Sequence, residues 1–170
     1  KRSFLGVLWS VLNPLLMMVV MSVVFSTMFQ SSIPNFPMYL IIGQILFSLF
    51  SEVTNMAMMS IIYNGGLIKK VYIPKYIFPL SKALFALSNL FFSLIAVILV
   101  ALFTKLQLHW ELFFVLIPII LLFFFSLGIG LALASYAVFF RDISHLFQIV
   151  LMIWTYLTPI FYPVTILPGN

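Results

Sequence analysis

An all-α bundle of membrane-spanning helices is the fold class this sequence predicts, and three observations predict it. Of 170 residues, 65% are hydrophobic and only 6% charged, against about 25% charged in soluble domains. Mean hydropathy is +1.28. The apolar residues collect in five runs, each near the ~20 residues a helix needs to cross a bilayer, and the basic residues gather in alternate connections between them.

The chain opens with "KRSFLGVLWSVL", which sets Phe4, Leu5, Leu8, Trp9 and Leu12 along one helical face. That pattern predicts an interfacial helix over residues 1–13. Asn13-Pro14 reads as an N-cap and first-turn proline opening a first span, Pro14–Phe29. Further spans are expected over Met38–Ile62, Ala83–Thr104, Leu112–Phe139 and Leu146–Phe161. No repeat or low-complexity linker divides the chain, so residues 1–170 read as one transmembrane domain. It begins with Lys and stops at "LPGN", and so is expected to be a segment truncated at both ends.

In the second span, Gln44, Ser48, Ser51 and Asn55 follow steps of 4, 3 and 4. At about 100° per residue they share a stripe roughly 60° wide, with Glu52 at its edge. Polar groups facing lipid cost several kcal/mol when unpaired, so the stripe is expected to face the bundle interior. It serves either helix–helix hydrogen bonding or the wall of a polar path. A charged Glu52 at mid-span costs about 2.5 kcal/mol or more. It is therefore either neutral and bonded to groups such as Asn55 or Asn89, or open to a wet pore. In the fourth span, Gly128 with Ala132 and Gly130 with Ala134 are small residues four apart, a spacing that lets helix backbones approach closely. Pro118 is expected only to bend that span. Around "TYLTPIFYP", the aromatics Trp154, Tyr156, Phe161 and Tyr162 suit either an interfacial belt or stacking on sugar rings.

Seven of the eight Lys and Arg residues fall on one side if Lys1 and Arg2 are cytoplasmic; Lys105 is the exception. The bias follows the positive-inside rule and puts the N-terminus inside. The net charge of +5 then concerns topology and anionic lipid, and nucleic acid is not an expected partner. Four of the eight lie in "YNGGLIKKVYIPKYIFPLSK", Tyr63–Lys82. There Leu67, Ile68, Val71 and Tyr72 share one helical face, interleaved with Lys69 and Lys70. Pro74 ends the turn before Lys75, and Pro79 suits the first turn of the next span. Such a surface helix faces lipid or docks on a soluble partner. Arg141 and Asp142 in "FRDISH" stand at the start of the fifth span, where Asp142 is placed to cap the helix and Arg141 to meet backbone carbonyls or a partner's carboxylate.

No catalytic, cofactor or metal site is expected. Glu52, Glu111 and Asp142 belong to three topological layers, and His109 and His145 to opposite sides. Cysteine is absent, and so is a G-x-x-x-x-G-K-[ST] phosphate loop. ATP chemistry, if any, must come from another chain.

Three stretches, "LGVLWSVLNPLL", "NGGLIKKVYIPKYIFPLS" and "VFFRDISHLFQIVLMIWTYLTPIFYP", resemble the membrane (permease) subunit of the ABC-2 type polysaccharide exporters, which export O-antigens and wall teichoic acids. Their order and spacing match as well. The resemblance implies a homodimer in a bacterial cytoplasmic membrane, driven by two cytoplasmic ATPase subunits that bind ATP and Mg. Its substrate would be a lipid-linked glycan. It implies a coupling loop over 63–82, helped by Arg141 and Asp142, and a gate helix at the N-terminus. A sixth span is expected beyond the end of the chain. The alternatives are a secondary transporter or channel using Glu52 for proton or cation coupling, and a membrane scaffold.

Overall fold

The computed structural model describes residues 4–29, 35–104, 114–160 and 162, with side chains for 8–24 of the first stretch. Among them there is no strand. Six helices follow in order: α1 Phe4–Phe29, α2 Phe36–Tyr63, α3 Gly65–Ile68, α4 Ile77–Phe103, α5 Leu116–Phe139 and α6 Ile143–Leu157. Among the described residues, α2, α4 and α5 are long and apolar enough to cross a membrane. At ~1.5 Å per residue they run about 42, 40 and 36 Å, more than the ~30 Å hydrocarbon core. The apolar stretches Leu8–Val24 of α1 and Ile143–Leu157 are shorter.

The helix starts follow local chemistry. Asn35 takes a positive φ of 54°, which asparagine tolerates better than most residues. Its carbonyl accepts the N–H of Met38 at 2.9 Å and of Tyr39 at 3.2 Å, starting α2. α4 starts well before Ala83 because Pro79, fully buried, occupies its first turn as expected, where a missing N–H costs nothing. The carbonyl of Pro74 receives the N–H of Ile77 at 3.1 Å. Pro118, expected to bend its span from within, instead stands in the first turn of α5, which starts at Leu116.

α1 departs from the expectation at Asn13-Pro14. The helix does not begin there; it runs on from Phe4 with Pro14 inside it, so Asn13 is not an N-cap and residues 4–13 are continuous with the rest of α1. An internal proline orphans the carbonyl four residues back and pushes it aside. That carbonyl belongs to Ser10; the Ser93 hydroxyl of α4 lies 3.3 Å from it and 3.1 Å from the Asn89 carbonyl of its own helix, so one hydrogen is shared between the two. An outside donor thus serves, in part, the carbonyl that proline orphans.

The chain forms two compact units, with α2, α4 and α6 each contributing to both. One comprises Lys1–Phe47, Asn89–His109 and Ile153–Asn170. Its buried residues include Phe36, Leu40, Ile41 and Ile45 of α2 and Leu90, Ala96 and Val100 of α4. The other comprises Ser48–Ser88 and Trp110–Met152. Within it the buried residues of α5 are Ile119, Phe123, Ser126, Gly130, Ala134 and Ala137, a stripe in steps of three and four. Phe125 of α5 stacks on Phe50 of α2 at 6.1 Å between ring centroids. A Cβ on Gly130 would lie 2.7 Å from that of Ala57 and 3.5 Å from the Thr54 Cα, so here the α2 and α5 backbones approach too closely for a larger residue. Of the two small-residue pairs, only Gly130 with Ala134 lies in this buried stripe. Gly128 has open space at its Cβ position and Ala132 is exposed.

Candidate functional site

The connection between α2 and α4 is where basic and apolar side chains stand out together. α3 is a single turn. Helical bonding continues beyond it only to Val71, whose N–H reaches the Leu67 carbonyl at 3.1 Å. Residues 72–74 are not helical, so Tyr72 lies outside the helix rather than on its face. Proline disfavours helical geometry in the residue before it, here Ile73, which ends the turn earlier than the pattern of apolar residues suggests. The side chains expected to act together are nonetheless on the surface. Leu67, Val71, Lys69, Lys70, Pro74 and Lys75 are exposed, Ile68 is half-buried, and Tyr72 is 98% exposed. None of these three lysines has an ion-pair partner among the described residues. Such a surface combines long-range positive potential with apolar area to bury, the makings of a docking face for a less basic partner.

Arg141 and Asp142 form an exposed turn between α5 and α6. Asp142 occupies the capping position through its backbone: its carbonyl accepts the N–H of His145 at 3.0 Å and of Leu146 at 3.1 Å. The Arg141 carbonyl receives the Ser144 hydroxyl at 3.1 Å. The carboxylate of Asp142 makes no bond to the first turn of α6 among the described residues, so both charged ends remain available.

The polar stripe of α2 is half-buried along its length at Gln44, Ser48, Ser51, Glu52 and Asn55. The Ser51 hydroxyl turns back on its own helix, donating to the Ser48 carbonyl at 3.1 Å. Asn55 joins two helices: its Nδ2 donates to the Ser51 carbonyl at 2.8 Å, while its Oδ1 accepts from Nε2 of Gln148 on α6 at 2.9 Å. Gln148 is absent from the sequence-derived candidates. A lone glutamine on a mostly apolar helix carries no signal until its partner is known.

Of the four aromatics, Phe161 lies outside the described residues. Trp154 and Tyr156 are exposed, and Tyr162 is half-buried. The Tyr162 hydroxyl reaches the carbonyls of Tyr156 at 3.0 Å and Leu157 at 3.2 Å, serving the unpaired end of α6. Tyr39 of α2, another residue the sequence did not single out, donates to the carbonyl of Pro159 and lies 3.2 Å from that of Tyr162. A Cβ on Gly43, one turn along α2, would stand 3.1 Å from the Ile160 side chain. The segment after α6 is thus seated on α2.

Comparison with known proteins matches this arrangement to one family. The model of the ABC-2 type transporter membrane domain matches residues 1–170. The chain belongs to the ABC-2 type transporter family. It is 31% identical over 167 residues to an O-antigen export system permease protein RfbA of Myxococcus xanthus, covering 97% of this chain and 64% of the relative. It is also 31% identical over 173 residues to a protein of the same description from Klebsiella pneumoniae, covering 99% of this chain and 65% of the relative. The chain therefore spans just under two thirds of the length of these curated relatives. The all-helical architecture, with its three long apolar helices, suits an ABC-2 membrane domain.

Proposed function

We propose that this chain is the transmembrane subunit of an ATP-driven exporter that moves a lipid-linked polysaccharide, an O-antigen, teichoic acid or similar glycan, across the cytoplasmic membrane of a bacterium. The O-antigen export named for its relatives supports the cargo. The observation that carries the mechanism is the exposed loop between α2 and α4, with Lys69, Lys70 and Lys75 unpaired among the described residues and Tyr72 almost wholly accessible. ATP and Mg are held by a separate cytoplasmic ABC ATPase, and two copies of this chain form the pathway.

In this reading α1, α2, α4, α5 and α6 all cross the membrane, the N-terminus is inside, and the α2–α4 loop and the Arg141–Asp142 turn face the cytoplasm. The ATPase docks on Leu67, Ile68, Lys69, Lys70, Tyr72, Pro74 and Lys75. When ATP draws two ATPase subunits together, the loop passes the displacement to α2 and α4, which begin and end within a few residues of it. Gln44, Ser48, Ser51, Glu52 and Asn55 border the path, and Trp154 and Tyr156 offer stacking faces to sugar rings.

Reconstitution tests this reading. Vesicles holding the full-length protein and its ATPase should translocate lipid-linked glycan when ATP is supplied. An ATPase that cannot hydrolyse ATP should stop transport. Glycan flux driven by a proton gradient alone, without ATP, would contradict it.

A further inference from the structure

Within the unit Ser48–Ser88 and Trp110–Met152 lies a cavity of about 600 Å³, in the size range of small-molecule sites. The last turns of α2, the early turns of α4 and the first turns of α6 border it, and it is open to the surface on one side. Its lining divides into two chemistries. Met56, Met58 and Met59 form an apolar wall with Phe85, and Met58 is fully buried. Lys82, His145 and Tyr63 supply an ammonium, an imidazole and a phenol. None of these three side chains has a hydrogen-bond or ion-pair partner among the described residues. The Asn55–Gln148 amide pair is already closed on itself. No Asp or Glu is among the described residues of the lining.

The combination constrains the occupant. Lys82, His145 and Tyr63 are exposed at its mouth, and a purely apolar ligand would use none of the three. A small hydrated anion would leave the thioether and phenyl wall unused. An amphiphile with an anionic head and an apolar chain satisfies both. Lysine, imidazole and phenol together offer several donors to the oxygens of one phosphoryl group, and charge-assisted bonds of this kind are the strong ones. Ser144 and His145 stand in the first turn of α6, where the helix dipole adds positive potential. Unbranched methionines adapt to a flexible chain.

We propose that this cavity binds the phosphorylated or diphosphorylated head of a lipid alcohol, with Lys82, His145 and Tyr63 on the head and the methionines and Phe85 on the first carbons of the chain. The identity of the natural ligand rests on the export reading above, since a lipid-linked glycan carries such a linkage between lipid and sugar. The binding chemistry itself does not.

These 170 residues hold no cysteine, so Phe85→Cys, in the full-length protein with any cysteine outside them replaced by serine, supplies a single reporter thiol at the cavity. Farnesyl diphosphate should slow its labelling by a maleimide at least fivefold, while inorganic diphosphate, farnesol and phosphatidylglycerol each change it less than twofold. Adding Lys82→Gln should remove the protection, and Lys82→Arg should keep it. Absence of protection overturns the site. Equal protection by inorganic diphosphate makes it a small-anion site, and equal protection by phosphatidylglycerol makes it a general lipid contact; either result overturns the proposal. Native mass spectrometry of the protein without the reporter gives a second reading: Lys82→Gln should weaken farnesyl diphosphate binding about tenfold, and unchanged binding counts against the site. Both assays omit the ATPase. Protection without ATP-driven export therefore sinks the functional reading alone, and export without protection sinks this site alone.

Discussion

Gly130 sits where a methyl group has no room, 2.7 Å from the Ala57 Cβ, whereas Gly128, two residues away on the same helix, meets nothing. Gly130→Ala must push α5 from α2, and overpacking of this kind costs about 1–3 kcal/mol. Gly128→Ala should be neutral or stabilising by up to about 1 kcal/mol, the helix-propensity gain. Thermal unfolding of the two variants in detergent measures the contrast, and equal destabilisation would contradict the packing described. The sequence shows both glycines four residues from an alanine, so periodicity finds two equivalent pairs. It fixes angles within a helix but not which face meets a neighbour. The polar stripe was legible for the same reason that its partner was not: Asn55 lies on it by spacing, but Gln148 is 93 residues away. For Glu52, half-buried at the edge of the stripe, Glu52→Gln keeps the shape and most hydrogen-bonding capacity. ATP-driven export should survive that change substantially; complete loss in a stably assembled variant would favour proton coupling.

At the scale of elements, local rules were read correctly where they act alone and missed where another helix intervenes. Pro79 occupies a first turn as expected, which needs no tertiary help, whereas Pro118, expected only to bend its span, stands in a first turn because α5 starts at Leu116. Pro14 was expected to start a helix and instead lies inside one, where the orphaned Ser10 carbonyl has the Ser93 hydroxyl within 3.3 Å. Interhelical hydrogen bonds in membranes average about 0.6 kcal/mol, and Ser93→Ala should destabilise by about that much. With Pro14→Ala, the restored N–H can reach the Ser10 carbonyl, so the cost of Ser93→Ala should shrink. A double-mutant cycle by denaturant unfolding reads the coupling, and full additivity would mean the hydroxyl does not serve the proline. The segment after α6 depends in the same way on α2, through the Tyr39 hydroxyl. Tyr39→Phe should speed hydrogen exchange at Ile160, whose amide bonds the Thr158 carbonyl at 2.7 Å, and leave the α5 amides unchanged.

For the whole molecule, composition alone identified a membrane chain, since 6% charged residues could not keep a folded surface in water. The distribution of lysines proposed its orientation, and three quoted stretches its family, which the family match supports over residues 1–170. What the sequence could not supply was the form of the basic loop: a single turn followed by the non-helical residues 72–74, with Tyr72 outside the helix. That form makes Tyr72 the position from which a docked partner is most directly sensed, and the central claim is that an ATPase docks there. A photo-cross-linking amino acid placed at Tyr72 in the full-length protein, activated in membranes containing the assembled transporter, tests it. The account predicts a covalent product with the ATPase that is lost when the ATPase is omitted. Capture of lipid alone, with the ATPase present and assembled, would contradict it and leave the lysines the simpler task of holding the loop on its own side of the membrane.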